Sequence, residues 1–547
     1  MRRFHGQMTG IGTLWRTVRH LKARQVLGRA RFVLSHPSVD VAAAPPRRAF
    51  QGVWSMPARR DAILTPPAVL RLLNTDYDLD VLGWDNPAVD RLLRYNAHYF
   101  DDLCAFGATS RDSAQRALVS RWIEENPAPQ GTGWEPYPLS LRVVNWIKWF
   151  FGGAVPEQQW QHSLAIQARW LRARLETHLL GNHLFANAKA LVHAGAWFSG
   201  DEAEEWLRCG LRILDEEIPE QILADGGQFE RSPMYHALAL EDLLDLINLS
   251  AVAASEVPAL AQRAPEWRRV AARMVFWLRA MCHPDGSLAL FNDCADGIAP
   301  GVDELARFAA LLGIEAATPS PDGVTWLEQS GYLRIACGHA LAILDAAPVG
   351  PDYLPGHAHA DTLSFELTIG GRRVVVNGGT SRYGLGEERL AQRGTARHST
   401  VQVANLDSSE VWSGFRVGRR ARIRELTVRD SEVTASHDGY RHLRGAPIHE
   451  RRWSFAAGRL SVTDSVQPAQ HDSVARYILA PGLSLEAAAP NDWQITDAGR
   501  EVARVEIVRG SARSAGSHHS REFGRQQEVR CLEVRLEEGS AVTSWSW

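Results

Sequence analysis

Two histidines and an aspartate crowd into Pro355-Gly356-His357-Ala358-His359-Ala360-Asp361, which runs directly into the apolar stretch 363–369. Imidazoles two residues apart, with a carboxylate two further on, share one face of an extended chain, so the spacing suits a metal ion or a proton-transfer site. Taken alone, the pattern fits a polar surface turn equally well. Three other stretches gather more polar groups than packing requires. Leu180-Gly181-Asn182-His183 opens a helical pattern after a glycine, and Asn182 there is either a helix cap or a functional amide. The run 225–236, Asp-Gly-Gly-Gln-Phe-Glu-Arg-Ser-Pro-Met-Tyr-His, holds an acid, bases and a phenol beside a glycine-rich turn. Ser232 as N-cap and Pro233 at the first helical position start a helix, which places Tyr235 and His236 in its first turn. The plainer reading of that run is a capped helix with a buried Glu230–Arg231 pair. The last stretch passes from Asn377 through Gly378, Gly379 and Tyr383 to Arg397 and His398. His359 with His398 is the stronger metal pair, because zinc favours imidazoles from different segments of a rigid sheet.

The elements that must position these groups change character along the chain. Leu14, Trp15, Val18 and Leu21, then Val26, Leu27, Ala30 and Val33, recur at helical spacing with basic residues between them. This predicts an amphipathic helix docked on the body with its arginines in solvent; a membrane-surface helix is the less favoured reading, for lack of a Lys-rich polar face. Residues 37–70 are rich in proline and alanine and are expected to wrap the surface. From Pro87 to Leu312 the apolar spacing is persistently helical, as in 160–171 and 237–246, which suggests a bundle, a solenoid or an α/α barrel. Its many tryptophans are expected in the core, with a few lining a groove where sugar rings could stack. Beyond Trp326 the period becomes two, in 332–335, 363–369, 373–376, 422–428 and 528–536, and Gly370-Gly371 signals a tight hairpin. The expected order is a wrapping segment over 1–86, a helical domain over 87–325 and an antiparallel β-sandwich over 326–547.

Composition narrows the function. The 547 residues are 45% hydrophobic and 22% charged, with a net charge of −3, so there is no global case for nucleic acid. The six cysteines are scattered without a CxxC pair, which argues against a zinc ribbon or a disulfide scaffold. Residues 1–34 have no uninterrupted apolar core or small-residue cleavage site, and no run reaches membrane-spanning length. A cytoplasmic location is therefore expected, with the periplasm as the alternative.

Jointly and in order, GNHLFANAKAL (181–191), DGGQFERSPMYH (225–236), GHAHADTLSFEL (356–367) and ARHSTV (396–401) resemble the motifs of the heparinase II/III-like polysaccharide lyases. The resemblance implies an incomplete (α/α) toroid followed by an antiparallel β-sandwich, with the active site between them. It implies β-elimination on a uronic-acid glycan, such as a bacterial exopolysaccharide: Asn182 neutralises the substrate carboxylate, and Tyr235 and His357 form the acid/base pair. His183, Glu230, Arg231 and His236 are then assigned to substrate binding. Metal ligands fall at His359 and His398, with the third, an aspartate in the family, at Asn377. An amide binds zinc poorly, so Asp361 is the substitute, either as ligand or as orienter of a histidine. One divalent ion, structural and by preference zinc, is expected, and no organic cofactor. The alternatives are a uronyl C5-epimerase, which reprotonates C5 from the other face without cleavage, and a non-catalytic glycan-binding or assembly protein.

Overall fold

The computed structural model describes residues 10–547; the first nine residues of the N-terminal segment lie outside the described residues. Helices fill the chain from Arg91 to Leu311. Their burial follows the sequence period: in helix Pro258–Ala280, Trp267, Val270, Ala271, Met274, Val275 and Leu278 all face inward. Helix Gly181–Trp197 is buried almost all round, because its neighbours Pro136–Phe151 and Asp201–Gln221 cover it from two sides. Trp122, Trp146, Trp160, Trp197, Trp206 and Trp277 are fully buried, whereas Trp134 and Trp170 border the cleft described below. The succession of paired helices is an incomplete (α/α) toroid.

Two antiparallel sheets follow. The nine-stranded sheet runs in the order Ser511–His519, Gln527–Arg535, Ser473–Leu479, Arg372–Val376, Phe365–Ile369, Ala340–Asp345, Tyr332–Cys337, Gly323–Leu327, with Val401–Val403 also paired to Ser473–Leu479. The other has eight strands, and Trp453, Val462 and Trp545 from it share one core with Phe365, Val375 and Tyr477. The expected hairpin is present: Ile369 pairs with Arg372 across Gly370 and Gly371, both at positive φ (55° and 81°), which other residues adopt only with strain. A smaller core of Trp277, Met281, Phe291, Tyr332 and Ile343 joins toroid to sandwich. The two halves are thereby fixed against each other across the cleft.

The N-terminal segment departs from expectation. It forms two helices, α1 (Ile11–Val18) and α2 (Ala23–Leu34). On α1 the polar side is the docked one: Thr13 and Arg16 donate to Glu410, and Thr17 accepts from the Trp412 indole. Ile11, Leu14, Trp15 and Val18 face solvent instead. The arginine expected in water is tied to the sandwich, because Glu410 offers it a partner. Among the described residues, no helix is long and apolar enough to cross a membrane.

Candidate active site

Tyr235 reaches the cleft because Ser232 starts its helix. The Ser232 hydroxyl accepts the Tyr235 N–H at 3.2 Å and donates to the Asp293 carbonyl at 2.5 Å, while Pro233 occupies the position where no N–H is needed. The phenol ring lies flat against the His357 imidazole, with centroids 3.8 Å apart and planes at 14°. Its hydroxyl meets that of Tyr383 at 3.0 Å. Burial pushes the Tyr235 phenol well above its ordinary range, and the adjacent Tyr383 adds to this, so the hydroxyl keeps its proton at neutral pH. His357 is oriented from the other domain: Nδ1 stands 2.6 Å from Glu230 Oε2. A carboxylate only accepts, so Nδ1 carries the hydrogen, and in the neutral ring Nε2 holds the free lone pair.

Asn182 stands in the first turn of its helix, not at the cap, which is Leu180. Its amide is therefore not consumed by capping, and it lies beside the Tyr137 phenol. His183 packs on Tyr137 with centroids 4.4 Å apart and lies 3.1 Å from Glu176. Burial opposes a charge on His183, but the Glu176 carboxylate outweighs it, and the imidazole's pKa is raised. Gly181 makes the junction: a Cβ there would lie 2.4 Å from Leu354 Cδ2, in the loop that carries His357. Asn182, His183, Tyr137, Glu230, Tyr235, His357 and Tyr383 all border one cleft of about 2080 Å³ between toroid and sandwich.

Beneath His357 lies a buried second cluster, His359, Asp361 and His398, whose ligand-type atoms all fall within 4.8 Å of one another. His359 Nε2 lies 2.9 Å from Asp293 Oδ1 and so donates to it, which leaves a lone pair on Nδ1. That lone pair faces His398 Nε2 at 3.3 Å. A proton or a metal ion must sit between them, and two imidazoles on a tetrahedral zinc are separated by about the same distance, roughly 3.3 Å. The donor set fits a divalent ion, with Asp293 orienting one ligand from behind.

Residues 85–303 match the family profile described as Heparinase II/III N-terminus, and residues 319–547 match Heparinase II/III-like, C-terminal. The chain belongs to the heparinase II/III-like family. Heparin-sulfate lyase of Pedobacter heparinus is 28% identical over 375 residues, covering 60% of this chain and 55% of that protein. FtsZ-localized protein C of Caulobacter vibrioides is 27% identical over 404 residues, covering 70% and 67%. Heparin-sulfate lyase of Bacteroides stercoris is 26% identical, but the match spans only 42% of this chain and 37% of that protein. Among solved structures, a heparinase III superposes with a TM-score of 0.64 at 16% identity, over 100% of this chain and 87% of that one. The heparan sulfate lyase HepC of Pedobacter heparinus gives 0.56 at 19%, over 95% and 87%.

Within this heparinase-like frame, some residues expected in the site are turned away from it. Arg231 adopts a left-handed backbone (φ 60°), and its guanidinium donates to the Ser330 and Phe229 carbonyls, so it braces the turn. It is not free to meet a substrate carboxylate, and it does not pair with Glu230, which is held by His357. His236 is fully buried: Nδ1 accepts the Gln228 N–H, and Nε2 donates to the Met274 carbonyl. Adjacent helical residues diverge by about 100°, so Tyr235 and His236 cannot both face the cleft. Asn377 accepts the Ser399 N–H at 3.1 Å, and its buried amide nitrogen, a donor unsuited to a cation, has no partner among the described residues. Turning the amide over would orphan Ser399, so Asp361 is the better third ligand.

Sequence reasoning missed Tyr137 and the pair Asn292-Asp293, and it placed Tyr383 in a candidate stretch without giving it a role. Asn292 binds the Arg231 carbonyl, the His359 N–H and, through its own N–H, Asp361. Asp293 donates its N–H to the His357 carbonyl and forms a buried two-contact ion pair with Arg389. The available signals were Pro-Tyr-Pro at a helix start for Tyr137, and Asn-Asp in a turn for the latter pair.

Proposed function

We propose that this protein is a polysaccharide lyase that cleaves a uronic-acid glycan by β-elimination. The observation that carries the reading is the stack of Tyr235 on His357 at 3.8 Å, formed between toroid and sandwich in a cleft that also holds Asn182. His357 Nε2 takes the C5 proton of the uronate, and the released electron pair forms the C4–C5 double bond. As the bond from C4 to the glycosidic oxygen breaks, the Tyr235 hydroxyl donates its proton to the leaving oxygen. Tyr235 carries a proton to give at neutral pH, and the base is the imidazole whose Nδ1–H is held by Glu230 and whose Nε2 is left to accept. Asn182 donates N–H to the substrate carboxylate, where charge builds as C5 loses its proton. A divalent ion on His359, Asp361 and His398, with zinc as the expected metal, would brace the loop that carries His357 and would supply no step of the reaction.

The cleft also bears on the substrate class. Ten Lys and Arg residues border it alongside eleven Asp and Glu, a balance that suits a glycan with one carboxylate per repeat better than a densely sulfated chain. Tyr95, Trp170 and Phe415, none of them buried, border it and are available to stack on sugar rings. A bacterial exopolysaccharide containing uronate fits these features. The test is incubation with a panel of purified uronic-acid polysaccharides followed in the ultraviolet, where an unsaturated end group absorbs. The reading fails if no polysaccharide yields that absorbance and none is shortened.

The Caulobacter relative is named for where it localises and not for a reaction, which favours, as a second reading, a protein that holds glycan without cutting it. Retention on a polysaccharide column with no ultraviolet product would select it. Solvent deuterium entering at C5 without chain shortening would instead select epimerisation.

A further inference from the structure

Amphipathic helices on globular proteins normally bury the apolar side, and α1 does the reverse. Ile11, Leu14, Trp15 and Val18, spaced three and four residues apart, form a stripe that faces outward, with Ile11 89% and Trp15 63% exposed. On α2, too, large apolar side chains face solvent: Leu27 is 69% and Leu34 77% exposed. The helices are nonetheless held in place. Beyond the α1 contacts to Glu410 and Trp412, Gln25 donates to the Tyr353 carbonyl and Phe32 packs on His178 at 4.5 Å. The apolar surface is thus presented by design of the docking contacts and does not result from a loose end.

Charge says what covers it. Residues 1–34 hold eight of the chain's 60 Lys and Arg residues and none of its 63 Asp and Glu. Of the six within the described residues, Arg16, Lys22 and Arg24 are paired with Glu410, Glu220 and Glu216. That leaves Arg19, Arg29 and Arg31 without an acidic partner among the described residues. A second copy would bring two such surfaces of one sign together, and a nucleic acid has no use for the apolar stripe. An anionic bilayer satisfies both features: its headgroups meet the unpaired Arg19, Arg29 and Arg31, and its acyl boundary takes the tryptophan and aliphatic side chains. We propose that the outer face of α1 and α2 docks on an anionic membrane surface, with the helices lying in the headgroup plane. Leu21 and Val26 of the same segment also border the cleft, so docking would set the mouth of the cleft beside the bilayer, within reach of glycan at the membrane. The proposal is independent of whether the cleft cuts or only holds its glycan.

The test is co-sedimentation of the full chain with vesicles of phosphatidylcholine alone or with about one third phosphatidylglycerol, at low and raised salt. The expected result is binding to the anionic vesicles only, released by salt. Binding should fall about ten-fold or more for the double variant Leu14→Glu/Trp15→Glu, whose melting temperature should be unchanged because both side chains face solvent. Arg19→Glu/Arg31→Glu should weaken binding while leaving the apolar stripe intact. Wild-type protein that stays in the supernatant with anionic vesicles overturns the proposal, as does equal binding by the Leu14/Trp15 variant. A concentration-dependent dimer abolished by that variant, without vesicle binding, would assign the face to a second copy.

Discussion

A buried phenol stacked on an imidazole keeps its proton until a leaving group needs it, and an imidazole whose Nδ1–H is fixed by a carboxylate presents Nε2 in one direction only. Turnover should therefore depend on both groups while folding depends on neither. Tyr235→Phe and His357→Ala are each expected to lower kcat by about 10²–10⁴-fold, with melting temperatures close to wild type. Survival of activity in both variants would remove the pair from the mechanism. Glu230→Gln keeps the shape of the side chain but loses the charge that orients His357, so kcat should drop while KM changes little. Arg231→Met should behave in the opposite way: its guanidinium spans two backbone carbonyls away from the cleft, so the loss is expected in stability.

Between the elements, the site is assembled by a clip and not by either domain alone. Ser232 caps the helix of Tyr235 and bonds the Asp293 carbonyl, and the next contact along, the Asp293 N–H, holds the His357 carbonyl. Phenol and imidazole are thus registered through one short segment, 292–293. Behind it, the Arg389–Asp293 pair is buried, and removing one partner leaves an uncompensated charge. Arg389→Met is expected to cost about 3–5 kcal/mol, read by denaturant unfolding. An unchanged midpoint would show that the segment is held by other means.

For the molecule as a whole, two conditions should matter. If the His359, Asp361 and His398 cluster is metal-loaded, a chelator should lower Tm, and His398→Ala should lower it while abolishing the chelator effect. Equal melting of the wild type with and without chelator would count against a structural ion. Acid should also loosen the sandwich from within. Burial pushes the Asp464 carboxyl up, but Arg451 and His449 beside it outweigh this and hold it down at about 2. Its folded pKa lies below its unfolded value near 4, so its contribution is complete above about pH 4 and is lost as pH falls toward 2. That contribution is about 2 kcal/mol, and Asp464→Asn should flatten the acid limb of a plot of stability against pH. The same Arg451 donates to the carbonyls of Leu363, two residues from Asp361, and Ser399, beside His398, so acid loosening would reach the His359, Asp361 and His398 cluster.

The fold was legible in the sequence wherever a local rule decides it: apolar period in the toroid helices, alternation in the strands, Ser-Pro at the start of the Tyr235 helix, and Gly370-Gly371 at the hairpin. The convergence of the candidate residues was legible in part: Asn182, Tyr235 and His357, singled out from separate stretches, border one cleft, and His359 and His398 lie together. What the chain could not reveal was which polar groups are already spent. Glu230 meets His357 across 127 residues of sequence. Arg231 and His236 are claimed by backbone carbonyls, Asn377 by Ser399, and Arg16 by Glu410, 394 residues further along the chain. Spacing along a chain fixes which side chains can share a face of one element. Only packing between distant elements decides whether that face meets water, a neighbour or the cleft.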